Sequence, residues 1–316
     1  MAEFNNLDDL EYESLEEIDK ETENLIIKYI IAYTLILKHL QQQINQGLNE
    51  KQSQRLLKKI QSHLKKLDAD ALKYVKNVFP SYYLLSLKNI DTVAVDLQGV
   101  KKIKGSKHAH KQALKQAQND LYRDLAKRTQ FMSVQAKRII RENAKELLTA
   151  MIEDGTSQKK IKKELKEKLL KSGVSSFVDA GRKDWTIERY SDMLIRTKSR
   201  ILYNQGTMNR LREYQENSDT YNENLDLIQI SNHGASDWCS LYEDKVFSIS
   251  GKSEIYPSIE TLPNQGFPTL HPNCKHVFLP YISSLRGKGE TVDKKYQSLS
   301  ISELNKIEYQ SRKKKA

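Results

Sequence analysis

The sequence predicts a mostly α-helical chain: a long helical N-terminal part followed by a small α+β C-terminal module that contains a short β-sheet. Three observations predict it. Of the 6 prolines, five (Pro257, Pro263, Pro268, Pro272 and Pro280) fall in one 24-residue window, and only Pro80 precedes them, so helices before that window meet almost no breakers. Apolar residues recur at i, i+3/i+4 and i+7 through the N-terminal part, the spacing of one helix face. From residue 225 onward the period changes to two in three short runs, the pattern of half-buried strands.

Taken in order, residues 24–78 alternate apolar and Lys/Gln positions at helical spacing. Leu56, Leu57, Ile60, Leu64 and Leu67 trace one stripe there, with Asp68 placed to cap a following helix. V-F-P-S-Y-Y-L-L-S-L around Pro80 interrupts this region and starts another helix, and V-K-K-I-K-G-S-K (100–107) reads as a short connector. From about Lys107 to Ile152, Leu114, Ala117, Leu121, Leu125, Met132, Ala136, Ile139, Asn143 and Leu147 step around one stripe, with Gly155 as the stop. That is long for a globular helix, so a hairpin arm or a break near Thr129 is expected. Ser157 caps a short basic helix that ends at Ser172-Gly173, and a further helix runs from about Thr186 to Gln215. The three strands are L-D-L-I-Q-I (225–230), K-V-F-S-I (245–249) and H-V-F-L (276–279). The organisation is then an acidic head (1–23), a helical region (24–106), a module (107–282) opened by the long helix, and a charged tail (283–316). Head and tail are both expected to be mobile.

Charge is unevenly spread. The chain has 52 Lys+Arg against 41 Asp+Glu, yet residues 1–23 hold ten carboxylates against Lys20 alone. The remaining 293 residues therefore carry 51 basic and 31 acidic groups, a net of +20, which attracts polyanions or an acidic protein partner. The runs Lys159, Lys160, Lys162, Lys163 and Lys313, Lys314, Lys315 are the candidate nucleic-acid contacts, with a solvated lysine-rich surface as the plain alternative. An acidic start lacks the positive region of a secretory signal. The most apolar run, Leu25–Leu37, contains Lys28 and is too short for a bilayer, so it reads as a buried helix and no membrane partner is expected. Two cysteines without an export signal point to a reducing compartment, where a metal or free-thiol role outranks a disulfide.

The chemistry-bearing residues gather late in the chain. His233, His271 and His276 and both cysteines, Cys239 and Cys274, lie between 233 and 276. A strand starting at Cys274 puts Cys274 and His276 on one face, and Pro272-Asn273 favours a bend returning His271 beside them. Cys239 precedes K-V-F-S-I, which could pair with H-V-F-L and deliver a fourth ligand. Thiolates and imidazoles in a tetrahedral set suit zinc, here as a structural clamp on loops, with His233 as an alternative ligand. Two other readings stay open: small buried thiols with hydrogen-bonded histidines, and a Cys239–Cys274 disulfide. Trp238 reads as a core anchor. A zinc-dependent hydrolase or nuclease using these ligands with Glu243 or Asp244 as base is the enzymatic alternative. No phosphate loop, H-E-x-x-H or G-x-S-x-G supports it, and no catalytic residue is assigned.

Residues from roughly 141 to 282 resemble the C-terminal module of tailed-phage minor head proteins, the Mu F-like head morphogenesis group and the related phage minor capsid protein 2. The matching pieces follow in order: Glu153–Leu165, I-R-T-K with Y-N-Q-G (Ile195–Gly206), I-S-N-H-G-A (230–235), Cys239 before K-V-F-S, and H-P-N-C-K-H-V-F-L-P-Y-I (271–282). Residues 1–140 show no motif of their own. Ser236 stands where many relatives carry the first cysteine of C-x-x-C, and Lys198 where the acidic residue of R-T-E is usual. The resemblance implies a noncatalytic structural protein of the virion, present in a few copies inside the head and in the host cytoplasm during assembly. Its implied partners are the portal protein, capsid or scaffold proteins and, nonspecifically, phage DNA, in head assembly, packaging or ejection.

Overall fold

The structure, a computed structural model, describes residues 2–46, 50–153, 176–178, 184–263, 265–266 and 269–315. The helices are α1 (Ala2–Gln46), α2 (Glu50–Asn77), α3 (Phe79–Thr92), α4 (Lys107–Glu153), α5 (Ile187–Glu216), α6 (Ser283–Arg286) and α7 (Ile301–Lys315). The strands are β1 (Ser176–Val178), β2 (Asp184–Thr186), β3 (Leu227–Ile230), β4 (Val246–Ser248) and β5 (Phe278–Pro280). By internal contacts the chain divides into one unit of residues 20–77 and 118–195 and another of 1–19, 78–117 and 196–316.

In the first unit, parts of α1, α2 and α4 bury stripes that the sequence spells out. Leu25, Tyr29, Ala32, Ile36 and Leu40 on α1 lie at helical spacing, as do Ile60, Leu64, Leu67, Ala71 and Tyr74 on α2, and Leu121, Leu125, Met132, Ala136 and Ile139 on α4. Thr22–Tyr74 (2.8 Å) and Lys28–Asp70 (3.1 Å) set α1 antiparallel to α2, and Gln118 to the Val75 carbonyl (2.8 Å) with Thr129 to Asp68 (2.7 Å) does the same for α2 and α4. Asp68 is therefore no cap. It lies inside α2 and accepts the Thr129 hydroxyl, which also bonds the Ala126 carbonyl (2.9 Å), and α4 runs through Thr129 without the expected break. Strands β1 and β2 form an antiparallel pair, Phe177 opposite Trp185, that three-residue runs gave no periodicity to reveal.

The second unit holds the small sheet. Pro80 sits in the first turn of α3, where its missing N–H is no loss. A three-stranded antiparallel sheet runs in the order β4-β3-β5, with Ile228 opposite both Phe247 and Pro280. The expected pairing of K-V-F-S-I with H-V-F-L is thus corrected: β3 lies between them. The core joins Ile90 of α3, Met208, Leu211 and Tyr214 of α5, sheet residues Ile228, Ile230, Phe247 and Phe278, and the buried Trp238, Tyr242, Cys239 and Cys274. Trp238 is a core anchor, as expected.

Both ends of the chain make packing contacts. The acidic head is helical from Ala2, Leu15 is buried, and Asp19 takes the Tyr82 hydroxyl (2.7 Å) and the Arg200 guanidinium (2.5 Å). In the tail, Val292 and Leu304 are buried in the core, the Tyr296 carbonyl accepts the Tyr242 hydroxyl (2.8 Å), and Ser298 N–H donates to the Thr261 carbonyl (2.7 Å). Tyr296, Leu299 and Ile301 pack against the same core, so apolar side chains spread through a largely polar segment dock it. The Gly155 stop, the Ser157-capped helix and its lysines Lys159, Lys160, Lys162 and Lys163 lie outside the described residues. Lys313, Lys314 and Lys315 are in the last turn of α7.

Candidate metal centre

Three local turns bring the sulfurs and imidazoles together. Asp237 caps a 3-10 turn, Trp238–Tyr242, its carboxylate accepting the Cys239 N–H (3.1 Å), and this turn carries Cys239 inward. The H-P-N-C segment closes on itself through the Cys274 N–H to the His271 carbonyl (3.2 Å), with Asn273 at φ 63°, a left-handed conformation that Asn tolerates well. Past it the chain is already extended: Ser231 N–H donates to the Val277 carbonyl (3.0 Å) and Val277 N–H to the Ser231 hydroxyl (2.9 Å). That extension places Cys274 and His276 on one face, as expected, although β5 itself begins only at Phe278.

The ligand atoms of Cys239, His271 and Cys274 all lie within 4.8 Å of one another. His271 Nε2 is 3.4 Å from Cys239 Sγ, and His276 Nδ1 is 3.1 Å from Cys274 Sγ. The outer nitrogen of each ring is occupied: His271 Nδ1–H meets the Pro272 carbonyl at 2.8 Å, and His276 Nε2–H meets Glu243 Oε1 at 3.2 Å. Cys239 and Cys274 are each 2% exposed, His276 1%, and neither thiol is in a disulfide. His233 is set apart from the sulfurs. Its ring packs at a tilt of 41° against His276 with centroids 4.2 Å apart, and its Nδ1 lies 3.9 Å from Glu243 Oε1, making a neighbouring His233–Glu243–His276 group.

The electrostatics follow from these contacts. The hydrogen bond with Cys239 and the adjacent His276 and His271 bring the Cys274 thiol down, while that same bond, burial and Asp237 push Cys239 up. Burial works against the charged form of His276, but Cys274 and Glu243 outweigh it and raise its pKa. Burial also lowers His233, helped by the neighbouring His276. Glu243 is held below the ordinary carboxylate range despite burial, because Oε1 accepts the backbone N–H of His233 (3.0 Å) and of Ala235 (2.9 Å) besides His276.

Side chains that sequence spacing did not flag hold this arrangement. Fully buried Asn204, from Y-N-Q-G on α5, accepts the Phe278 N–H (2.8 Å) and donates to the His276 carbonyl (3.3 Å). Thr197, from I-R-T-K, accepts the N–H of left-handed Asn273 through its hydroxyl (2.7 Å). Two motif fragments about 70 residues upstream therefore grip the backbone of the closing motif at both ends of its Cys–x–His core. The chain belongs to the phage minor capsid protein 2 family, whose pattern matches residues 13–315. The match reaches far upstream of the module that showed the resemblance, so α1 to α4 are part of the family architecture rather than an unrelated extension. No curated protein and no solved structure shows significant similarity to the chain. Among the described residues, no helix is long and apolar enough to cross a membrane.

Proposed function

We propose that this minor capsid protein is a noncatalytic component of the phage head that associates with the portal and touches the packaged genome nonspecifically. One observation carries the reading: family membership spans residues 13–315 of a chain whose residues 24–316 hold 51 basic against 31 acidic groups. A basic body of that kind would neutralise phosphates without reading bases, and capsid or scaffold proteins would be its other neighbours in assembly. The absence of a catalytic assignment is supported by Glu243, whose Oε1 is already taken by three donors, and by Asp244. The latter sits at φ 61° in the turn before β4 and accepts the Asn232 amide (2.5 Å). Both carboxylates thus do the work of turn residues. The test is co-purification of the full chain with tagged portal protein and its detection in procapsids and virions. Absence from both particles and from the portal fraction overturns the proposal. Affinity for mixed-sequence duplex DNA should fall steeply with salt; salt-independent binding or none removes the genome contact.

A further inference from the structure

We infer that Cys239, His271, Cys274 and His276 form a closed, structural zinc site whose fourth ligand, His276, is oriented by Glu243. Three of the four ligand atoms, those of Cys239, His271 and Cys274, lie within 4.8 Å of one another, and His276 joins them through Cys274. Zinc–sulfur bonds near 2.3 Å and zinc–nitrogen bonds near 2.0–2.1 Å place neighbouring ligand atoms roughly 3.5–3.8 Å apart. His271 Nε2 to Cys239 Sγ at 3.4 Å and His276 Nδ1 to Cys274 Sγ at 3.1 Å approach that spacing, and Cys239, His271 and Cys274 already converge on one point. Two thiolates and two imidazoles are a donor set that selects zinc over harder divalent cations.

The surroundings of the ligands point the same way. A metal-bound histidine usually donates its far N–H to a carbonyl or carboxylate, which fixes the ring and its tautomer. Both rings here do so before any ion is considered: His271 to the Pro272 carbonyl, His276 to Glu243. Each ring thereby keeps its free nitrogen facing a cysteine. Glu243 is in turn fixed by two backbone N–H groups from the loop after β3. His233 belongs to this outer layer, since it touches His276 and Glu243 rather than a sulfur. Asp237 is the rival for the fourth position, with Oδ2 3.3 Å from His271 Nε2. It is discounted because it is committed to capping the Trp238–Tyr242 turn and its side chain is 39% exposed, against 0% for His276. A site closed by four protein ligands ties the 231–243 loop to the 271–276 turn and leaves no open position for water or substrate.

The experiment uses the full chain, purified under reducing conditions without chelator. Elemental analysis should find about one zinc ion per chain, and replacement with cobalt should give the thiolate-to-metal charge-transfer band and visible absorption of a four-coordinate ion. His276→Gln should abolish stoichiometric zinc, and Asp237→Asn should retain it. Glu243→Gln should fold yet release zinc to a chromophoric chelator at about 10- to 100-fold lower chelator concentration. Substoichiometric zinc in a folded chain with both thiols titratable overturns the proposal. Five-coordinate cobalt spectra, or zinc lost in Asp237→Asn and kept in His276→Gln, overturns the ligand assignment. A chain that failed to associate with portal would leave these outcomes untouched, so the two proposals fail separately.

Discussion

Replacing Asn204 tests how far the closing motif depends on a distant helix. The side chain is fully buried and satisfies two backbone groups, the Phe278 N–H at 2.8 Å and the His276 carbonyl at 3.3 Å. Asn204→Ala leaves both without a partner in the interior, at about 1–3 kcal/mol each. The expected loss is therefore about 2–6 kcal/mol, a large share of the ~5–15 kcal/mol that stabilises a typical domain. Asn204→Asp is the sharper probe, because it keeps the acceptor for Phe278 and replaces only the donor. An ionised carboxylate there faces the His276 carbonyl, whereas a protonated one donates to it as the amide does. Burial raises a carboxyl pKa, so the folded variant holds its proton more tightly than the unfolded chain. Its stability relative to wild type should then be greatest below the ordinary Asp value of about 4 and fall as pH rises through the raised folded value. Urea unfolding of the full chain at a series of pH values, followed by Trp238 fluorescence, gives both numbers. An Asn204→Ala loss below about 1 kcal/mol with unchanged m-value, or an Asn204→Asp difference that ignores pH, refutes the reasoning.

Gly206→Ala probes the close approach of α5 to α3. A Cβ there would stand 1.9 Å from Ser86 Oγ and 3.1 Å from the Tyr83 carbonyl, so overpacking of about 3 kcal/mol should exceed the ~1 kcal/mol gained by replacing a helical glycine. A net loss of about 2 kcal/mol in urea unfolding is expected, partly recovered in the Ser86→Ala background; a neutral or stabilising Gly206→Ala counts against the contact. Glu213 gives an acid-side prediction. Burial would raise its carboxyl, but the Ser106 N–H (2.9 Å), Arg210 (2.8 Å) and His110 (3.0 Å) hold it below the ordinary 4.5. A depressed folded pKa gives stability that is complete above 4.5 and lost as pH falls through the folded value, so thermal melts between pH 6 and 3 should slope less in Glu213→Gln than in wild type. Asp226→Ala should destabilise the module by several times the ~1 kcal/mol of one hydrogen bond. It strands Ser250 N–H (2.8 Å), the Ser250 hydroxyl (2.9 Å) and the Tyr221 hydroxyl (2.9 Å) together; an unchanged denaturation midpoint would contradict that.

What the sequence could show depended on the range over which each interaction is written. Helix α4 was legible because its stripe, buried from Leu121 to Ile139, repeats locally, although its length suggested a break it does not have, and β3, β4 and β5 were legible as strands because alternation is local too. Which strands are neighbours is not local, and the β4–β5 pairing failed for that reason. Asp68 reads as a cap by type alone, and only the partner Thr129, 61 positions away, explains it inside a helix. The site residues Cys239, His271, Cys274 and His276 stood out because cysteine and histidine are scarce elsewhere. Asn204 and Thr197 did not, since an asparagine and a threonine are ordinary residues until they meet backbone groups 72 and 76 positions away; Glu243 was weighed only as a base, whereas its carboxylate holds the His276 ring 33 positions away. Composition said nothing of the contacts that the acidic head and charged tail make through single residues such as Asp19, Val292 and Leu304.

The concentration of special residues between 233 and 276 follows from what the sheet cannot do. Strands of three or four residues form too few ladder bonds to hold a small sheet by themselves. The long excursions that join them, through residues 231–245 and 249–277, must satisfy their backbone groups by other means. Side chains take over that task at each turn: Asp226 for Ser250, Ser231 for Val277, Glu243 for His233 and Ala235, Thr197 for Asn273, Asn204 for Phe278. Five of these receptors are fixed on α5, β3 or the residues bordering β3 and β4, so each excursion is tied back to a regular element. The sulfur–imidazole cluster is a place where the two excursions meet each other through side chains, Cys239 against His271 and Glu243 against His276. A cross-link there constrains loops that the ladder leaves free, which is where a clamp contributes most to stability. That position is walled by Trp238 and lined by the buried Cys274 and His276, so a clamp there is packed into the core of the module rather than hung on its surface.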